Sequence, residues 1–125
     1  MRSALALVLA AGLAVAPAMA GEEIDHYAAI PSETLDEALK NFSEYNAKVN
    51  AILSKEDLTT AEMEEIHQYT YTIELALAKL NEEMAALAGT LEELHLASED
   101  HDSSKVYSIG ADYLETAGKV VSAPQ

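Results

Sequence analysis

From Thr59 to Glu99 the apolar residues recur every seven positions without a break for five heptads. With Met63 as a, the other a positions are Thr70, Leu77, Met84, Leu91 and Ser98, and Ile66, Ile73, Leu80, Leu87 and Leu94 occupy d. This period specifies one long helix over about 59–99, roughly 58 Å for about 39 residues at about 1.5 Å each. A rod of that length cannot cover its own apolar stripe, so the rest of the chain must cover it or leave it to a partner. The fold class that follows is all-α, a helical hairpin or three-helix protein built on this central helix.

The flanking segments predict shorter helices over about 33–54 and 103–121. Ser32 or Thr34 caps the first, Thr34-x-x-Glu37 has the form of a capping box, and Glu33, Asp36 and Glu37 sit in the first turn, where the helix dipole favours them. Leu35, Leu39, Phe42, Val49 and Leu53 form its apolar stripe, interrupted by Asn46. Lys55 to Leu58 is a short connection, so the long helix returns antiparallel. Thr59 as N-cap and Glu62 three residues on complete a second capping box, with Leu58 placed to staple onto Met63. Gly89 lies inside the heptads at a propensity cost of about 1 kcal/mol relative to Ala, which predicts a bend or a close crossing. A second turn over 98–102, capped by Asp100 or Asp102, leads to a helix carrying Val106, Ile109, Gly110, Tyr113, Leu114, Ala117, Val120 and Val121.

Antiparallel pairing places Leu53 against Met63, Val49 against Ile66, Phe42 against Ile73 and Leu35 against Leu80, with Asn46 facing Thr70 as a register-fixing polar pair. On the other side Val106 pairs with Leu94, Tyr113 with Leu87 and Val120 with Leu80. Two architectures satisfy these pairings. In one, the short helices lie end to end along the long one; in the other, the long helix bends near Gly89 to make a compact bundle. The extended form has two helices in each cross-section, too few to bury an adequate core, and a homodimer of antiparallel rods would supply four. The Ala-rich flank of Ala76, Ala78, Ala85 and Ala86 is then the expected seam.

Residues 1–20 read as a cleavable signal peptide: Arg2, an apolar run from Ala4 to Ala16, and the Ala18-Met19-Ala20 cleavage motif. Residues 21–31 form an extended leader closed by Pro31, and residues 32–122 a single helical domain. The chain has no cysteine, which excludes a lipoprotein, a disulfide scaffold and C-x-x-C-H haem attachment. The expected location is the periplasm. Cleavage removes Arg2 and leaves six lysines against 22 carboxylates, one unit more negative than the −15 of the full chain. Such a surface repels nucleic acid and anionic lipid, and no later segment has the length of uninterrupted apolar sequence that a membrane span needs.

For catalysis there is no serine elbow, phosphate loop or cysteine nucleophile, and the carboxylates are spread along solvent faces; the chain reads as non-enzymatic. The residues with metal-ligand chemistry are His67, His95, Glu99 and His101. His67 and His95 share the e position about 42 Å apart, so they approach each other only across an antiparallel dimer. Imidazole and carboxylate at these spacings suit zinc, copper(II) or nickel weakly, whereas the strong H-E-x-x-H pattern is missing. The competing reading makes every one of these residues structural, with the histidines hydrogen-bonded to Tyr or carboxylate neighbours and the acidic turn around His101 capping helices.

Asn41-Phe42-Ser43-Glu44-Tyr45-Asn46, Ile66-His67-x-x-Thr70-Tyr71-Thr72-Ile73-Glu74 and Thr90-Leu91-Glu92-Glu93-Leu94-His95-Leu96-Ala97-Ser98 resemble an uncharacterised family of small exported helical proteins of Gram-negative bacteria. The resemblance spans most of the mature chain and implies fold and compartment but no site residue. Leu58-Thr59-Thr60-Ala61-Glu62 is also similar to the L-T-x-x-Q repeat of small periplasmic stress chaperones of the Spy type, with Glu62 in place of Gln and one copy only. The function expected is presentation of a helical surface to a second copy or to another periplasmic protein. Weak divalent-metal binding and a stress-chaperone role are the alternatives.

Overall fold

In the computed structural model of the protein, the described residues are 29–122. Three helices follow one another, α1 (Leu35–Leu53), α2 (Thr60–Glu99) and α3 (Ser103–Ser122), and no strand occurs among the described residues. The signal peptide and the leader as far as residue 28 lie outside them.

Both N-terminal caps form as the sequence predicts. The Thr34 side chain accepts from the Glu37 N–H while the Glu37 carboxylate accepts from the Thr34 N–H. Thr59 and Glu62 repeat the arrangement at the start of α2. Each box satisfies two backbone donors that would otherwise lack partners, which is why the helices start where they do. At its far end α2 closes in a Schellman motif. The Asp102 N–H reaches the Ala97 carbonyl at 3.1 Å, the His101 N–H reaches Ser98 at 3.2 Å, and His101 holds the left-handed conformation at φ 54°. Asp102, rather than Asp100, caps α3: its Oδ1 accepts from the Lys105 N–H at 3.1 Å.

α2 runs unbroken through Gly89, and no atom lies within 4 Å of a Cβ built there. The expected close crossing at Gly89 is absent, and α1 and α3 each pack on α2 rather than on each other, so the compact bundle does not form. α1 packs on the N-terminal half of α2, where Tyr45 and Tyr69 meet edge to face at 5.5 Å, and α3 on the C-terminal half, where Gly110 faces Leu94. Lys119 Nζ reaches Asp36 Oδ2 at 3.2 Å, so the end of α3 meets the start of α1. The architecture is the extended rod. A Cβ built on Gly110 would lie 3.7 Å from the tip of the Leu94 side chain, so α3 passes beside Leu94 at Gly110.

The buried face of α2 corrects the heptad reading. It runs along d and g: Ile66, Tyr69, Ile73, Ala76, Leu80, Leu87, Leu94 and Ala97 are buried or half-buried. The a residues Met63, Leu77, Met84 and Leu91 retain 50, 42, 44 and 46 % of their exposure, so Met63 and Met84 are not core packing. Small residues account for the choice. Ala38 of α1 and Ala76 of α2 are both fully buried, and the register set by Tyr45 and Tyr69 puts them opposite each other. Two alanines let the backbones approach more closely than any pairing through Leu77 would.

The expected polar pair of Asn46 and Thr70 does not form, because Asn46 is exposed and Thr70 donates to the His67 carbonyl in its own helix. Among the described residues the buried polar ones are Asn41 and Thr72. Thr72 Oγ1 accepts from the Ile30 N–H at 3.0 Å, and Asn41 Nδ2 donates to the Pro31 carbonyl and to Ser32 Oγ at 3.2 and 3.0 Å. Together they clamp residues 30–32, the end of the leader and the residue after it, onto the α1·α2 pair.

Candidate functional site

The four candidate ligands occupy three separate places. His67 is exposed on α2, its Nε2 2.8 Å from the Tyr71 hydroxyl one turn on and its ring edge to face with that of Tyr71 at 4.9 Å. His95 and Glu99 form an exposed pair, Nε2 to Oε1 at 3.2 Å across one helical turn. His101 is exposed in the turn and serves the chain as the left-handed residue that closes α2, a position usually held by glycine. Among the described residues no three His, Asp or Glu side chains gather closely enough to hold an ion. The structure therefore brings His95 together with Glu99 and leaves His67 and His101 apart from them.

The segment similar to the chaperone repeat, Leu58 to Glu62, is occupied by capping. The Glu62 carboxyl is held down at about 2, first by the Lys55 ammonium hydrogen-bonded to it and then by the Thr59 backbone N–H. Lys55 titrates above its ordinary range for the same reason. Around the α1·α2 contact, Lys48 Nζ stands 4.1 Å from the centre of the Tyr45 ring and 3.0 Å from Glu44, while the Tyr69 hydroxyl donates to Glu65. These hydrogen bonds raise the Lys48 ammonium and the Tyr69 phenol above their usual values. Lys79 pairs with Glu83 and Glu82 at 2.8 and 3.3 Å. Lys48, Lys55, Lys79, Lys105 and Lys119, five of the six lysines among the described residues, are thus engaged by carboxylates.

A shallow open groove of about 400 Å³ marks the meeting of α1 and α3, lined by Asp36, Leu39, Lys40 and Ser43 on one side and Lys119 and Ser122 on the other. It gathers no constellation suited to bond-making chemistry.

An apolar strip is also exposed on the rod. On α2 it comprises the a row of Leu77, Met84 and Leu91, with Ala78, Asn81, Ala85 and Ala88 beside it, all exposed or half-exposed. No carboxylate or lysine falls at positions a, b or e between Glu74 and Glu92. On α3 Tyr107, Leu114 and Val121, also seven apart, stay 80, 67 and 81 % exposed. At about 100° per residue both rows are displaced in the same rotational sense from the α2·α3 seam, and in an antiparallel pair equal displacement puts them on one side of the layer. Periodicity revealed the α2 row but assigned it to the core. The α3 row carries its own signal, a seven-residue recurrence adjacent to the half-buried stripe of Val106, Tyr113 and Val120.

None of the described helices is long and apolar enough to cross a membrane. No curated protein and no solved structure matches the chain. A family model described as a family of unknown function (DUF6746) matches residues 1–122, and the chain belongs to that family.

Proposed function

We propose that the mature chain is a non-enzymatic periplasmic interaction module that works by presenting the apolar row of α2 to another protein surface. The observation that carries this reading is the a row itself. Four large apolar side chains, Met63, Leu77, Met84 and Leu91, keep 42 to 50 % of their surface in solvent on a helix otherwise rich in glutamate. An unpartnered apolar strip on so acidic a chain marks a contact surface. The signal-like residues 1–20 and the absence of cysteine support the periplasmic assignment. A photocrosslinking residue at Leu91 should trap one discrete species in intact cells, while the same residue at Glu93, two positions round the helix, should trap none. Equal yields from the two positions, or none from either, would sink the proposal.

A second reading, weak binding of zinc, copper(II) or nickel, rests on the His95–Glu99 pair. Two ligands hold such ions poorly, so a further ligand would have to come from another chain. Calorimetric titration with zinc sulfate tests it: a stoichiometric heat lost in His95→Ala would support the metal reading, and no heat in either protein would reject it.

A further inference from the structure

Resting on that reading, we infer that the surface covering the exposed row is a second copy of this chain, packed antiparallel across α2 with the two-fold axis passing between Asn81 and Met84. Residues a and e alternate along this face as 77, 81, 84, 88 and 91, the three-four spacing of a helix–helix seam. Laid antiparallel on itself about that axis, the face sets Leu77 over Ala88 of the second copy and Met84 over its Asn81. Leu77 thus meets a small side chain and Met84 the short polar Asn81, while Leu91 falls opposite Glu74 at the edge of the face. A face that complements itself in this way has the property an isologous contact requires.

The remaining observations agree. Within one chain each cross-section holds two helices, three of the seven buried apolar residues are alanines, and Thr72 is the largest fully enclosed side chain among the described residues. Two such rods make a four-helix section, α1 and α2 of one copy beside α2 and α3 of the other. Leu114, 67 % exposed, lies on the side of the layer the second copy would cover. Charge separates this occupant from others. A basic partner would seek the carboxylates, whereas the face made by positions a, b and e, free of carboxylates and lysines between Glu74 and Glu92, suits a surface with the same gap, and two such acidic chains repel outside it.

The absence of native cysteine makes single-cysteine spin labels clean probes. Light scattering of the mature protein at micromolar concentration should give twice the chain mass, with association strengthened by added sodium chloride. Dipolar spectroscopy should then give a short distance between labels at position 84 and a long one, on the order of 58 Å, between labels at position 63, at 1.5 Å per residue. Ala88→Glu, at a solvent-exposed site, should keep the helicity and weaken the dimer by about tenfold or more. A monomer, a dimer with short distances at both positions, or one with a long distance at position 84 each overturns the inference. A monomer whose Leu91 still crosslinks a different protein would overturn only the second copy and leave the interaction reading standing.

Discussion

Lys119 Nζ lies 3.2 Å from Asp36 Oδ2, a contact between residues 83 positions apart that joins the last turn of α3 to the first turn of α1. It marks where the two short helices meet along α2. Both groups are largely solvated, and exposed ion pairs contribute little. Lys119→Ala should shift unfolding by less than about 0.5 kcal/mol in urea titrations. A larger loss would mean that the α1·α3 junction is a structural keystone rather than a point of contact.

Gly89 offers a stabilising substitution. It is helical and exposed, and an added Cβ would meet no atom within 4 Å. Gly89→Ala should raise stability by about 1 kcal/mol through helix propensity and a less flexible unfolded chain. Thermal unfolding followed by circular dichroism checks it; a lower midpoint would show that α2 needs flexibility there.

His101 occupies the left-handed position of the Schellman motif at φ 54°. Glycine adopts that conformation without steric cost, so His101→Gly should stabilise by about 1 kcal/mol, read as a raised midpoint in urea unfolding. The variant also bears on the metal reading. Any loss of ion binding in a protein that folds better could not be blamed on misfolding.

Thr72 and Asn41 hold the leader. Thr72→Val keeps the volume but removes the acceptor for the Ile30 N–H, and should cost about 1–2 kcal/mol. Amide exchange at Ile30 should accelerate while α2 amides remote from position 72 keep their protection. Unchanged exchange at Ile30 would show that the clamp does not depend on this hydrogen bond.

Glu62 makes the start of α2 sensitive to acid. Its carboxyl titrates at about 2 in the fold against an ordinary 4.5. A carboxyl depressed in the folded state contributes stability that is complete above the ordinary value and is lost as pH falls from 4.5 toward 2. NMR amide exchange should show fraying of residues 60–64 over that window, and Glu62→Gln should flatten the pH dependence. Fraying that persists unchanged in Glu62→Gln would assign it to other carboxylates.

Most of the secondary structure was legible along the chain. The capping boxes at Thr34 and Thr59 and the heptads of α2 depend on neighbours within a few residues, so local pattern carries them. The same period assigned a and d to the core, and the structure buries d and g instead. Likewise the polar residues that matter inside, Asn41 and Thr72, have no periodic signature, since their partners lie 9 to 42 positions away.

For the candidate site the division is similar. His95 and Glu99 were legible as a pair because four residues is one helical turn, and the structure brings them to 3.2 Å. The role of His101 was not legible, because a left-handed residue is set by how two helices meet, and histidine does not announce it. By itself the sequence determined that there are three helices, where each begins and how long α2 runs, because caps and periodicity are local. Only the tertiary structure decided which face of α2 is covered. Several faces of that helix carry enough apolar surface to pack, and the opposed alanines at 38 and 76 admitted the closest approach of one neighbour.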